Sequence, residues 1–288
     1  MISSRKINSF KDLPDQYDLF AFDLWGVVYN GVELYLQTVK FIDYLRSLNK
    51  QIIFLSNSPR PSSIATQRLA KQGLIILDSE KLITSGDFFR FCYQHNIDDV
   101  IGLHKKIYNL GGDCNTDLLK GLEVNYAPDI TSADYVILSM LAQNENELAN
   151  WDKEMSRAIA SNIPALCINP DMIASHGDNM CYTPGTFAKR YSDLGGIVHY
   201  YGKPHLPIYH YALDPFIKKA GIEKKNILAI GDSLATDIKG ATSYGIDSLL
   251  LLNGVHAGTD INSDLILEDL FKKFKLEPKF LMSKPQFN

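Results

Sequence analysis

The feature that most constrains this chain is a repeated unit of short apolar strand, polar turn and amphipathic helix. Tyr17–Leu24 reads as a buried strand, and Val39–Leu48 places Val39, Ile42, Leu45 and Leu48 at helical spacing. Gln51–Leu55 is a second strand ending in Ser-Asn-Ser-Pro-Arg-Pro, with Pro61 positioned to open a helix over Ser62–Gln72 and Gly73 to stop it. Strand, helix, strand, helix at this spacing predicts a right-handed parallel α/β sheet.

The unit resumes near the other end of the chain. Val198–Tyr201 reads as a strand ending at Gly202-Lys203-Pro204, and a helix over Ile208–Ala220 is closed by Gly221. Asn226–Ile230 is a strand ending in Gly231-Asp232-Ser233, followed by a helix over Thr236–Tyr244 and a strand at Asp247–Leu252. The middle alternates separately, with strands expected at Val100–Leu103, Tyr135–Leu138 and Ala165–Ile168 and a helix at Glu147–Ala160. The expected organisation is a core built from residues 1–78 and 198–288, interrupted by an inserted α/β unit at 79–197. The last twenty residues read as a loosely attached tail.

Composition excludes several classes of partner. Lys+Arg 29 against Asp+Glu 33 gives a net charge of −4, with no basic run, so an electrostatic grip on nucleic acid is not expected. Apolar stretches are strand-sized, far short of the ~18 residues of a membrane span. The N-terminal residues carry charge with no apolar run behind it, so a soluble cytoplasmic protein is expected. Cys92, Cys114, Cys167 and Cys181 form no C-x-x-C pair and read as reduced thiols.

Chemistry gathers at the strand ends, where open parallel sheets bind ligands. Asp23 closes the first strand, and Ser56 and Asn57 close the second ahead of a helix N-terminus. Lys203 follows the strand after the insertion, and Asp232 closes the next, with Asp237 five residues on. Taken singly, each has an ordinary role as a cap or turn former. Together, two acids, a hydroxyl, a lysine and a helix N-terminus describe a site for a hard cation such as Mg²⁺ and a phosphate group. A carboxylate beside such a phosphate can act as a covalent nucleophile.

This order of motifs resembles the haloacid dehalogenase-like hydrolases. The matching residues are Asp23-Leu24-Trp25-Gly26-Val27-Val28, Ser56-Asn57, Lys203, and Gly231-Asp232-Ser233-Leu234-Ala235-Thr236-Asp237. The long insertion is similar to that of the class IIA, NagD-like subfamily with its C2-type cap, as are Asn169-Pro170-Asp171, Pro184-Gly185-Thr186 and Gly202-Lys203-Pro204-His205. The resemblance, which covers about Phe20 to Gly254, implies a Rossmann-like core and Mg²⁺-dependent hydrolysis of a small phosphorylated metabolite, such as a sugar phosphate or nucleotide. It implies that Asp23 attacks phosphorus, and that Asp23, Asp232 and the backbone carbonyl at Trp25 hold the metal. By the same resemblance Ser56, the Asn57 amide and Lys203 bind phosphoryl oxygens, and Asp237 holds a metal water or orients Lys203. It also brings an expectation of homo-oligomers through the cap, although no residue in the sequence marks an interface.

Trp25 departs from the pattern. Phosphatases of this family usually carry a second Asp two residues after the nucleophile as general acid and base, and an indole cannot fill that role. Positioned proton transfer is typically worth about 10²–10⁴ in rate. Three readings follow: a slow or selective phosphatase that borrows an acid from the cap, with Asp171 and His176 as candidates; another chemistry on the same nucleophile, dehalogenation or phosphonate cleavage; or a non-catalytic phosphate-ligand binding protein. The retained Asp23, Lys203, Asp232 and Asp237 favour the first. Arg60, just after the second motif, and Thr186, at a helix start, are further candidates for substrate contact.

Overall fold

The computed structural model describes residues 2–288 apart from 14, 98–99, 103, 112–115 and 177–178, and describes no side chain at 116, 175, 176 or 179. In chain order the strands are β1 (Arg5–Lys6), β2 (Leu19–Phe22), β3 (Gln51–Ser56), β4 (Lys81–Thr84), β5 (Lys106–Leu110), β6 (Asn125–Tyr126) and β7 (Tyr135–Leu138). They continue with β8 (Ala165–Cys167), β9 (Ile173–His176), β10 (Asn179–Tyr182), β11 (Val198–Tyr200), β12 (Ile227–Gly231), β13 (Asp247–Leu251) and β14 (Phe280–Met282). Seven form one sheet in the order β1-β14-β13-β12-β2-β3-β4, and five form another in the order β11-β8-β7-β5-β6. Every described pairing within these two sheets is parallel.

Residue alternation explains why the larger sheet is buried on both faces. Leu19, Ala21, Ile53, Leu55, Ile227 and Ala229 pack into one apolar cluster, while Phe20, Phe22, Ile52, Phe54, Leu228 and Ile230 pack into another. The first cluster does not stop at the sheet. It runs through Phe88, Phe89, Ile208 and Tyr209 on the helices Ser85–His95 and Leu206–Ala220 to Ile107, Tyr135, Ile137 and Leu166 of the smaller sheet. The two sheets therefore share one continuous apolar seam.

The strand order also locates the site. Successive strands β2, β3 and β4 run out to one side, while β12, β13 and β14 run out to the other, so the order reverses between β2 and β12. Phe22 pairs with Ile230, and Asp23 N–H donates to the Ile230 carbonyl at 2.8 Å. Asp23 and Asp232 thus leave the carboxyl ends of adjacent strands, at the crevice that such a reversal opens.

The structure differs from the sequence expectations in several places. Val198–Tyr200 pairs with Ala165–Cys167 in the smaller sheet rather than reopening the larger one. Lys81–Thr84, which lies inside the expected insertion, pairs with Ile53–Ser56 in the larger sheet. Val100–Gly102 is not a strand, and Leu103 lies outside the described residues; the strand there is Lys106–Leu110, whose partners are β6 and β7. The expected helix at Glu147–Ala160 breaks into Glu145–Ala149 and Asp152–Ala160 around Trp151. The C-terminal residues are not loosely attached: β14 is buried between β1 and β13, and Phe10 N–H donates to Gln286 O at 2.9 Å. Short strands flanked by Pro278, Lys279 and Pro285 carry too few apolar residues to announce themselves.

Candidate active site

Lys203 is the centre of the site. It is 3% exposed, and its ammonium donates to Asp23 Oδ1 and Asp237 Oδ1, 2.7 Å from each. Burial works against a buried ammonium, but the two carboxylates more than offset it and hold the Lys203 pKa well above the usual lysine range. Its backbone is fixed by the side chain of Asn57: Lys203 N–H donates to Asn57 Oδ1 at 2.7 Å, and Asn57 Nδ2 donates back to the Lys203 carbonyl at 3.1 Å. Ser85 Oγ donates to the same Oδ1 at 3.2 Å. The Asn57 side chain therefore positions the lysine, and only its backbone N–H remains to match the expected phosphate contact.

The acids converge from two strand ends. Asp237 lies in a π-helical turn, Leu234–Ile238, a local widening of the helix that often occurs at functional sites. Its Oδ2 accepts from the backbone N–H groups of Asp232 and Ser233, both at 3.1 Å. Asp232 Oδ2 accepts from Val255 N–H at 2.9 Å. Two glycines give Asp232 its room. A side chain at either Gly26, where φ is +77°, or Gly254 would collide with its carboxyl group.

Carboxylate oxygens of Asp23, Asp232 and Asp237 all lie within 4.8 Å of one another. Burial, opposed by Lys203, pushes the Asp23 pKa up to about 7. Burial and the neighbouring Asp237 and Asp23 raise that of Asp232 well above the carboxylate range. Three clustered acids, Asp232 and Asp237 buried and Asp23 partly so, with one lysine among them are short of positive charge, and an all-oxygen donor set fits a hard divalent cation.

The other expected residues fall in three groups. Ser56, 1% exposed, ends β3 and lines the same pocket, as do Arg60 and Asp171. Asp171 reaches the site from the segment after β8: Asn57 Nδ2 donates to its Oδ1 at 2.9 Å, and Thr236 also hydrogen-bonds its carboxyl. Trp25 lines the pocket with its ring tilted 49° against Tyr29, centroids 4.9 Å apart. Thr186 is not among the pocket-lining residues. Its hydroxyl is spent on the Met172 carbonyl at 2.5 Å, and Thr183, at the helix N-cap, takes the lining position instead. His176 lies in β9, but its side chain is outside the described residues.

Sequence reasoning missed Tyr29 and Arg68. Both line the pocket, and the Arg68 guanidinium hydrogen-bonds the Tyr29 hydroxyl. A signal existed in the helix Ser62–Lys71: Ile64 and Arg68 are four residues apart and share a face.

Comparisons with known proteins match nearly the whole chain. A family model described as haloacid dehalogenase-like hydrolase matches residues 20–125, and a HAD-hydrolase-like model matches residues 200–272, on either side of the central segment. The chain is 23% identical over 252 residues to an acid sugar phosphatase of Staphylococcus epidermidis, covering 86% of this chain and 91% of that relative. It is 25% identical to a 4-nitrophenylphosphatase of Schizosaccharomyces pombe, covering 90% and 92%. A crystal structure of a haloacid dehalogenase-like hydrolase from Brucella suis superposes with a TM-score of 0.80 at 28% identity, covering 96% of this chain and 99% of that one. With the four motifs in order at the carboxyl edge of the larger sheet, the chain belongs to the haloacid dehalogenase-like hydrolases, in the NagD-like arrangement of two core segments around an insertion.

Proposed function

We propose that this protein is a divalent-cation-dependent phosphohydrolase that cleaves small phosphate monoesters through a covalent intermediate on Asp23. The observation that carries this reading is the bridge from Lys203 to Asp23 and Asp237, beside a third acid that completes a cation site. Asp23, Asp232 and Asp237, with the carbonyl of Trp25, would hold Mg²⁺, which when bound would neutralise charge on the phosphoryl oxygens. Sugar phosphates and aryl phosphates, after the relatives' names, are the substrate classes to begin with.

In the first step the free Asp23 oxygen attacks phosphorus, and the bond from phosphorus to the leaving oxygen breaks. Lys203 and the Ser56 hydroxyl hold the phosphoryl oxygens, while Asn57 keeps the lysine backbone in place. In the second step water attacks phosphorus, and Asp23 leaves as its carboxylate. The departing oxygen needs a proton, and the attacking water must lose one.

Asp171 is the residue proposed for both transfers. Among the described residues, the acids lining the pocket are Asp23, Asp171, Asp232 and Asp237, and three of these form the cation cluster. Asp171 lies outside that cluster, and burial raises its pKa, which keeps a proton available nearer neutrality than an exposed acid would. The inserted unit would thus act as a cap that carries the proton donor to the core.

Hydrolysis of p-nitrophenyl phosphate with and without Mg²⁺, in wild type and Asp23→Asn, tests the proposal. Its phenolate leaves without much protonation, so with this substrate attack by Asp23 makes little demand on a proton donor. Activity that requires both supports the reading, and folded, Mg²⁺-binding protein without activity rejects it.

A further inference from the structure

The pocket beyond the acid cluster has a composition that phosphoryl transfer does not explain. It encloses about 460 Å³, ample for a small-molecule leaving group. Arg60 and Arg68 stand in its wall, and both act electrostatically on the Tyr29 hydroxyl, as does Asp23. The two guanidiniums therefore share the neighbourhood of a phenol that also feels the nucleophile. Arg60 has a loose partner in Asp117, 3.8 Å away. Arg68 has no carboxylate within ion-pairing distance among the described residues, and its known contact is the neutral Tyr29 hydroxyl. One phenol satisfies one of five guanidinium donors.

Part of the remaining lining is apolar, beside polar groups at Ser58, Ser139, Asn169 and Thr183. Ile64 and Ala65 sit on the same helix as Arg68, and Leu141 and Met180 face the pocket from the inserted unit while 50% and 47% exposed. Large apolar side chains left half-open at a cavity offer apolar contact to part of a leaving group.

We propose that the substrate is a phosphate ester whose leaving group carries a second anion, and that Arg68 binds that anion. The proposal rests on the phosphohydrolase reading and narrows its substrate class. A guanidinium binds a carboxylate or phosphate with paired donors, which a neutral group of equal size cannot exploit.

Two matched pairs test this charge requirement: 4-carboxyphenyl phosphate against 4-carbamoylphenyl phosphate, and phosphoglycolate against its amide. The expected result is a preference of about tenfold in kcat/KM for the acid in at least one pair, falling towards parity in Arg68→Gln and partly retained in Arg68→Lys. Equal handling of acid and amide in both pairs by wild type, or a preference that Arg68→Gln leaves intact, overturns the proposal. If neither these esters nor p-nitrophenyl phosphate is hydrolysed, the phosphohydrolase reading fails by itself. The esters then serve as inert ligands, and their calorimetric affinities for wild type and Arg68→Gln give the same comparison.

Discussion

Asn57 donates from Nδ2 to Asp171 Oδ1 at 2.9 Å, joining the end of β3 to the segment that follows β8. The same amide group holds the backbone of Lys203. Any displacement of the inserted unit is therefore felt where the phosphate would bind, and Asp171, among the described residues the one pocket acid outside the cation cluster, arrives with it.

If Asp171 is the proton donor, its loss must depend on the leaving group. Asp171→Asn keeps the size of the side chain and removes the proton. It is expected to slow transfer of the phosphoryl group to Asp23 from alkyl phosphates by about 10²-fold or more in single-turnover measurements, while slowing that from p-nitrophenyl phosphate much less. Equal loss on both substrates in this first step would mark Asp171 as a brace for Asn57 and not the proton donor.

Trp25→Asp tests the same vacancy from the other side. The substitution puts a carboxyl group at the position the family uses, at the cost of the contact with Tyr29. Alkyl phosphate hydrolysis is expected to rise, by up to about 10²-fold. Folded, metal-binding Trp25→Asp with no gain would count against an otherwise intact phosphatase.

The raised carboxyls give the metal-free protein a defined pH response. An unfolded chain loses the Asp23 proton near the ordinary carboxylate range, whereas the folded one keeps it until about pH 7. Between those values the unfolded state binds fewer protons, so stability falls as pH rises, and Asp232 acts in the same direction. Thermal melts should show a metal-free Tm that declines from pH 5 to pH 8. Mg²⁺ requires ionised carboxylates, so its stabilisation should be larger at pH 8 than at pH 5. A Mg²⁺ effect independent of pH would contradict this cluster as the binding site.

Gly254→Ala probes the cradle of Asp232. The added methyl would occupy the position of its carboxyl group, so the acid must move. Mg²⁺ affinity is expected to fall at least about tenfold, as typically follows loss of a supporting group around a metal. Isothermal titration measures this directly, and unchanged affinity would remove Asp232 from the proposed ligands.

The core of the site was legible because its residues occupy strand ends. Asp23, Ser56 and Asp232 follow apolar runs that can only be buried strands, and Lys203 follows a glycine turn. Partnering was less legible, since pairing is a property of two segments. Val198–Tyr200 reads as a strand in isolation, but nothing local assigns it to Ala165–Cys167. The side-chain role of Asn57 was hidden for the same reason, because its partners lie 114 and 146 residues away. Arg68 was hidden by type, since an arginine on a helix is ordinarily solvated and only the pocket distinguishes its face.

Whether Asp23 becomes phosphorylated is read out by rapid-quench mass spectrometry of p-nitrophenyl phosphate turnover. A single phosphoryl group is expected on the peptide carrying Asp23, formed only with Mg²⁺ and absent in Asp23→Asn. Turnover with no covalent phosphoryl group on that peptide, or with the group on another residue, would contradict it.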